Sequence, residues 1–512
     1  MSAKEKSRTY NSVVNSIIGI LAAVINIIVN FAVRFVIVRV LGDEINGIHS
    51  LFQNVITVLT LMETTISTAM IIHLYKPVKD DDKAQIKELM GFYRKLYSIF
   101  AVMFFAAGMV INLLIPFFIS TTVDLGLVHF YFILFSLSFA LYYFTFANRC
   151  LLYAEQNNRV STFATMLGEL IFRGTGMIFV LLYKEYWLFL VFLILEKLFS
   201  NAVCNAYIKR RHPYLGLMPE RKTNTGIRKK IFATVRPLFV NQIALTIQNS
   251  STSVIISMLL GNVSSVGFYG NYQLIINAVN TLFSQIGASF TSGFGNLASS
   301  DDKEKMKMVY SRVLFIISTL GIVCCCGFLT CVQDFIVIAF GENSVLGMFT
   351  TILLTLNMFI TLTNIPIISI QNATGTHRAD AVNMIIQAVA VIVLSYIGGM
   401  FWGLEGIILG LLLPTFVFTS VIKGILISRK CMKLNTGKYV KDLIIIFLKC
   451  AVSCAVTIGV GSLITFESHL LNIVIKGAAA LVVSFVMIFI TSFKNENFHY
   501  MLSFLHLAKK GK

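Results

Sequence analysis

The chain has 512 residues, 56% of them hydrophobic and 13% charged, with a mean hydropathy of +0.79. Soluble domains carry roughly 25% charged residues, so the composition excludes a soluble fold and indicates a chain that lies mostly in a bilayer. The net charge of +18 invites a nucleic-acid reading, but the charge is spread over alternate loops rather than gathered on one patch.

A spanning helix needs roughly 20 apolar residues. About 14 such stretches occur, centred near residues 25, 59, 104, 137, 171, 195, 246, 278, 320, 358, 390, 415, 453 and 481. The first apolar segment is about 28 residues long, beyond the h-region of a cleaved signal peptide, and reads as a retained span. Basic residues recur in every second loop: Lys4 to Arg8, Lys76 to Lys95, Arg149 and Arg159, Lys209 to Lys230, Lys303 to Arg312, Arg378, Arg429 to Lys441 and the tail from Lys494. The intervening loops hold essentially Arg39 and Lys184. By the positive-inside rule both termini are cytoplasmic and the number of spans is even. The basic charge is thus a topology signal, and no nucleic-acid partner is expected. The nine cysteines fall mostly in or at the ends of spans; the run Cys324 to Cys326 points to different faces of a helix and reads as small apolar packing residues.

Taken in order, the chain repeats itself. Leu41-Gly42 recurs as Leu260-Gly261, Gly47 as Gly267, Asp81-Asp82-Lys83 as Asp301-Asp302-Lys303, Ala154 and Arg159 as Ala373 and Arg378, and Arg210-Arg211 as Arg429-Lys430. A constant offset of 219 to 220 residues across six spans indicates duplication. Because six is even, both copies keep the same orientation, as two parallel six-helix lobes. The expected organisation is a first lobe over 1–208, a basic cytoplasmic linker over 209–232, a second lobe over 233–428, two further spans over 442–493 and a tail over 494–512.

The second span carries a polar stripe of Gln53, Thr57, Thr60 and Thr64 at helical spacing. Adding 220 gives Gln273, Asn277, Asn280 and Ser284, all polar. Asn26, Asn30 and Arg34 line one face of span one, and Gln242, Thr246, Asn249 and Ser253 one face of span seven. Polar groups at membrane depth are costly unless they face water or each other. Four symmetry-related stripes point to a central water-filled cavity rather than to interhelical packing alone.

The segment from Val40 to Tyr97 resembles the second and third spans of Wzx-type polysaccharide flippases, members of the multidrug/oligosaccharidyl-lipid/polysaccharide (MOP) superfamily. The likeness is sharpest at Leu41-Gly42, Gly47, Glu63 and Leu74-Tyr75-Lys76-Pro77, and covers roughly the first 430 residues through the repeat. Where the family usually shows a Glu-Leu-Gly type sequence this chain has Glu63-Thr64-Thr65, without the glycine of a close contact or bend. The resemblance implies an all-α, V-shaped pair of lobes in a bacterial cytoplasmic membrane, alternating between inward-open and outward-open states. Its implied cargo is a polyprenyl-diphosphate-linked oligosaccharide, moved to the outer leaflet for capsule, exopolysaccharide or O-antigen-like synthesis. Membrane lipids, a polysaccharide polymerase and chain-length machinery are the implied partners.

Such a cargo needs cations for its diphosphate and amides for its sugars. Arg34 is the first candidate, because a guanidinium suits bidentate phosphate contacts. Asn26, Asn30, Gln53, Asn249, Gln273, Asn277 and Asn280, with Thr57 and Thr60, suit sugar hydroxyls. Arg236 is a candidate at the cavity mouth. Arg173, four residues after Glu169, reads either as half of an intrahelical ion pair or as a cation on the lobe wall. Glu63 is a candidate carrier of a coupling proton or Na⁺, or a partner for Arg34 or another cation. Glu196, Lys197 and Lys423 read as structural or interfacial. An enzyme is not expected: the outer loops are short, and neither a metal-spaced cluster nor a nucleophile triad occurs. No cofactor or metal is called for. A cation-coupled drug antiporter of the same superfamily is the nearer rival; it would want a dense carboxylate site where this chain has isolated acids and many amides.

Overall fold

The computed structural model describes residues 3–118, 121–155, 157–215, 251–299, 302–493 and 495–500. Among them the regular elements are all helices. The chain divides into two compact units, Met1–Gly267 and Phe268–Lys512.

The first unit contains α1 (Ala3–Leu41), α2 (Asp43–Leu59), α3 (Leu61–Lys79), α4 (Lys83–Phe118), α5 (Leu125–Tyr143), α6 (Phe146–Ala154), α7 (Asn158–Tyr183), α8 (Tyr186–Arg211) and α9 (Ser251–Leu260). Helix α10 (Val263–Ser299) begins in this unit and continues into the second. There it is followed by α11 (Lys303–Phe340), α12 (Met348–Thr374) and α13 (His377–Pro414). A π-helical stretch, Thr415–Lys423, then leads into α14 (Gly424–Met432), α15 (Thr436–Ser462) and α16 (His469–Ser492).

Ten stretches are long and apolar enough to cross a membrane among the described residues. One of them, Asp380–Met432, is broken by Trp402 and Gly403, whose φ of 56° ends one helix and starts the next. Helix α2 falls outside the ten because the break at Thr60 leaves it 17 residues long, and α3 and α10 because their polar residues lower the hydropathy. The arrangement is consistent with about 14 crossings.

The repeated residues have local structural work. Gly42 and Gly261 both adopt positive φ, 90° and 59°, a region that side chains resist, and each ends a helix. Asp82 Oδ1 accepts from Gln85 N at 2.9 Å, and Asp302 Oδ1 from Lys305 N at 3.0 Å, so each caps the helix that follows it. Gly47 and Gly267 meet at a helix crossing. A Cβ on Gly47 would lie 2.1 Å from the Val263 carbonyl oxygen, and one on Gly267 would lie 3.0 Å from the Gly47 nitrogen.

The second span is not one helix. Thr60, with φ −77° and ψ −3°, separates α2 from α3. Thr57 Oγ1 donates to the Gln53 carbonyl at 2.7 Å and Thr60 Oγ1 to the Thr57 carbonyl at 2.9 Å. Threonines that bond back to the preceding turn compete with its ladder and bend the helix, so the interruption needs no glycine.

In the second unit α12 is the most enclosed span, 72% of its apolar window being buried, against 22% for α15 and 17% for α16. The last two helices therefore pack at the rim. Asp334 of α11 fastens α16: it accepts from Lys476 Nζ at 2.9 Å and Asn472 Nδ2 at 3.2 Å, and sits 2.7 Å from His469 Nδ1. A buried ion pair, Lys423 with Asp380 at 2.8 Å, ties the π-helical stretch to α13.

Candidate functional site

The first unit holds a connected polar interior built by α1, α7 and α8. Asn30 Nδ2 donates to Asn26 Oδ1 at 2.8 Å, and Asn26 Nδ2 to Glu169 Oε1 at 2.9 Å. Arg173 returns the circuit, donating to Asn30 Oδ1 at 2.9 Å and lying 3.4 Å from Glu169. Its shorter contact is with Glu196 of α8, at 2.7 Å, and Lys197 Nζ reaches the same carboxylate at 2.6 Å. The intrahelical pair read from spacing exists, but the cross-helix pair is tighter. Residues Glu169–Arg173 form a π-helical turn, an irregularity that recurs at functional sites and here re-aims both charged side chains toward the neighbouring helices.

Beside this circuit lies a small cavity of about 50 Å³ whose lining includes Asn30, His49, Gln53, Ser138, Arg173 and Lys197. His49 joins α2 to the cavity wall, with Nδ1 2.7 Å from Tyr186 Oη and Nε2 3.1 Å from Gln53 Nε2.

Of the residues singled out in the sequence, Asn26, Asn30, Gln53 and Arg173 are thus brought together. Arg34 is buried on the α1–α2 interface, where its guanidinium donates to Ser50 Oγ at 2.5 Å. Glu63 accepts from Tyr143 Oη at 2.9 Å. Thr57 is exposed and Thr60 half-buried. In the second unit Gln273 Nε2 donates to Tyr269 Oη at 2.9 Å, Asn277 is exposed and Asn280 is half-buried. Ser253 accepts from Asn54 Nδ2 at 3.0 Å, tying α9 to α2. Arg236 and Asn249 lie outside the described residues.

Two features escaped the sequence reading. His49 precedes Gln53 and Thr57 at i, i+4 and i+8, a face that could have drawn attention to it. Arg149 reads as a loop charge, yet it is buried inside the unit. Its guanidinium donates to Ser161 Oγ and Ser200 Oγ, both at 2.7 Å, and to Thr165 Oγ1 at 3.1 Å, and it lies 4.5 Å from the Tyr142 ring centroid.

Residues 118–345 match the family model described as "Polysaccharide biosynthesis protein". None of the curated proteins matches the chain. Among solved structures, an inward-facing MATE-family multidrug resistance transporter of the MOP superfamily aligns with a TM-score of 0.67 at 14% identity, over 78% of this chain and 94% of its own. The lipid II flippase MurJ, in an inward closed conformation, aligns at 0.67 and 13%, over 93% and 98%. A MOP superfamily transporter from Pyrococcus furiosus aligns at 0.57 and 14%, over 84% and 97%. The chain is therefore a multi-pass helical membrane protein with the fold of the MOP-superfamily transporters, and its middle matches the polysaccharide biosynthesis family model.

Proposed function

We propose that the protein is a flippase that carries polyprenyl-diphosphate-linked oligosaccharide from the cytoplasmic to the outer leaflet by alternating access. The observation that carries this reading is the cavity of the first unit, whose lining combines two cations, Arg173 and Lys197, both of which also pair with Glu196, with two amides, Asn30 and Gln53. Cations and amides suit phosphate oxygens and sugar hydroxyls respectively. The exposed polar side chains of Gln53 and Thr57 extend that chemistry along α2. The polysaccharide family match and the likeness to a lipid II flippase support the same class of cargo.

In this reading the protein works in a bacterial cytoplasmic membrane with both termini inside, beside a polymerase and chain-length machinery. Glu63 is the candidate carrier of a coupling proton or Na⁺, and Arg34 the candidate phosphate ligand. A drug/cation antiporter is the alternative; it would want a dense carboxylate site, whereas the acids of this chain are isolated and Glu169 and Glu196 are paired with Arg173 and Lys197. Depleting the protein in cells tests the proposal: lipid-linked oligosaccharide should accumulate on the cytoplasmic face. Unchanged lipid pools with altered dye efflux would favour the antiporter.

A further inference from the structure

A second cavity, of about 250 Å³, lies in the second unit between α11, α15 and α16. Its α15 wall is Lys438, Asp442, Ile445, Ile446 and Lys449, one helical face at i, i+4, i+7, i+8 and i+11. Lys438 stands two residues inside the helix start, and Lys449 lies about 16 Å further along the axis, within the apolar run that starts at Leu443. An ammonium inside a span is a functional-site hypothesis by default. Here the Nζ of Lys449 donates to Ser492 Oγ at 2.9 Å, at the far end of α16, which leaves further donors of a three-donor group on the cavity side. Phe315 and Ile488 form the apolar part of the wall, while Asn497, bonded to Ser311 at 2.9 Å, closes the polar end. On the outside of the same helices Ile444, Leu448 and Phe489 are half or more exposed.

The cavity therefore has a cationic, hydroxyl-rich end, an apolar end, and an apolar surface on the helices around it. Asp442 is the one carboxylate in its lining; Lys438 and Lys441 act on it electrostatically. Arg312, next to Ser311, stacks on Tyr500 with its guanidinium 3.9 Å from the ring centroid. The Lys449 stem reaches out of the apolar run toward Ser492 at the end of α16, the direction in which a snorkelling lysine meets the headgroups of the leaflet on the α15 N-terminal side. The bias of basic loops makes that leaflet cytoplasmic. We propose that this cavity binds the phosphate of an anionic bilayer phospholipid, held by Lys449 and Lys438, with the acyl chains along the apolar faces of α15 and α16. The site is independent of whatever cargo the protein moves.

Native mass spectrometry of the full-length protein in detergent, titrated with phosphatidylglycerol, tests it. Lys449→Met, which keeps the length of the stem among apolar neighbours, should weaken retained lipid on the order of tenfold, as loss of a charge-assisted contact does. Lys449→Arg should retain binding. Lys430→Met, at an exposed position outside the cavity, should bind as wild type does. A melting curve without added lipid checks that Lys449→Met is folded. Equal lipid retention by Lys449→Met and wild type would overturn the proposal. So would displacement of the phospholipid from this site by inorganic phosphate, or by polyprenyl diphosphate at lower concentration, since each would assign the cavity to a different phosphate.

Discussion

Arg173 reaches Glu196 on the adjacent helix at 2.7 Å, closer than the 3.4 Å that separates it from Glu169 on its own helix. Glu196 is almost fully enclosed, with 1% of its side chain accessible, and keeps Lys197 at 2.6 Å, so removing Arg173 leaves Glu169 as the carboxylate without a cation. Arg173→Met should cost up to about 3–5 kcal/mol of stability, and the double variant Arg173→Met with Glu169→Gln, which restores charge balance while Glu196 keeps Lys197, should recover much of it. Thermal unfolding in detergent measures both. A double variant no better than the single one would mean that the pair is not the unit of stabilisation.

The Gly47 crossing makes a second prediction. Overpacking usually costs about 1–3 kcal/mol, and Gly47→Ala should exceed that because the neighbour, at 2.1 Å, is backbone that cannot rotate away. Gly267→Ala, whose nearest contacts are 2.9 Å and beyond and include the Asn46 side chain, should be milder. Gly327→Ala meets nothing within 4 Å and should be neutral, or stabilising by about 0.5–1 kcal/mol from helix propensity. Folded yield and melting temperature rank the three; an undiminished Gly47→Ala would deny the close approach.

These cases show what a sequence does and does not disclose. Gly42 with Gly261, and Asp82 with Asp302, are legible because a positive φ and an N-cap are local demands that duplication preserves. The spans and the stripes are legible from composition and periodicity. The break at Thr60 is not, because threonine hydroxyls can bond back or point away, and the neighbours decide. Arg149 illustrates a limit of counting loop charges: the tally places a residue near one face but is blind to a side chain that folds inward onto Ser161, Thr165 and Ser200. The Arg173–Glu196 contact is invisible for a related reason. Helical spacing predicts partners on one helix, whereas the shorter contact depends on how α7 and α8 pack.

Water access along the stripes can be measured by cysteine substitution. Thr57→Cys and Asn277→Cys replace exposed polar residues, whereas Leu113→Cys replaces a residue of α4 that is 75% exposed and lies in an apolar run. A thiol reacts as its thiolate, which hydrocarbon suppresses. A water-soluble maleimide should therefore modify the two stripe positions at rates on the order of tenfold or more above Leu113→Cys. The comparison is made in a background without the native cysteines. Equal rates at all three positions would mean that the stripes do not face water.

Arg34 tests the proposed transport chemistry most directly. Arg34→Ala should abolish delivery of lipid-linked oligosaccharide to the outer leaflet, and Arg34→Lys should retain part, since a lysine keeps the charge but loses the bidentate fork. Because Arg34 also donates to Ser50 at 2.5 Å, loss of activity alone does not separate recognition from packing. Ser50→Ala removes that hydrogen bond and leaves the guanidinium in place. If Arg34 acts on the cargo phosphate, Ser50→Ala should transport well while Arg34→Ala does not, with both proteins present at wild-type levels in the membrane. Equal loss in the two variants would make Arg34 a clamp between α1 and α2. Full activity in Arg34→Ala would remove it from the transport mechanism.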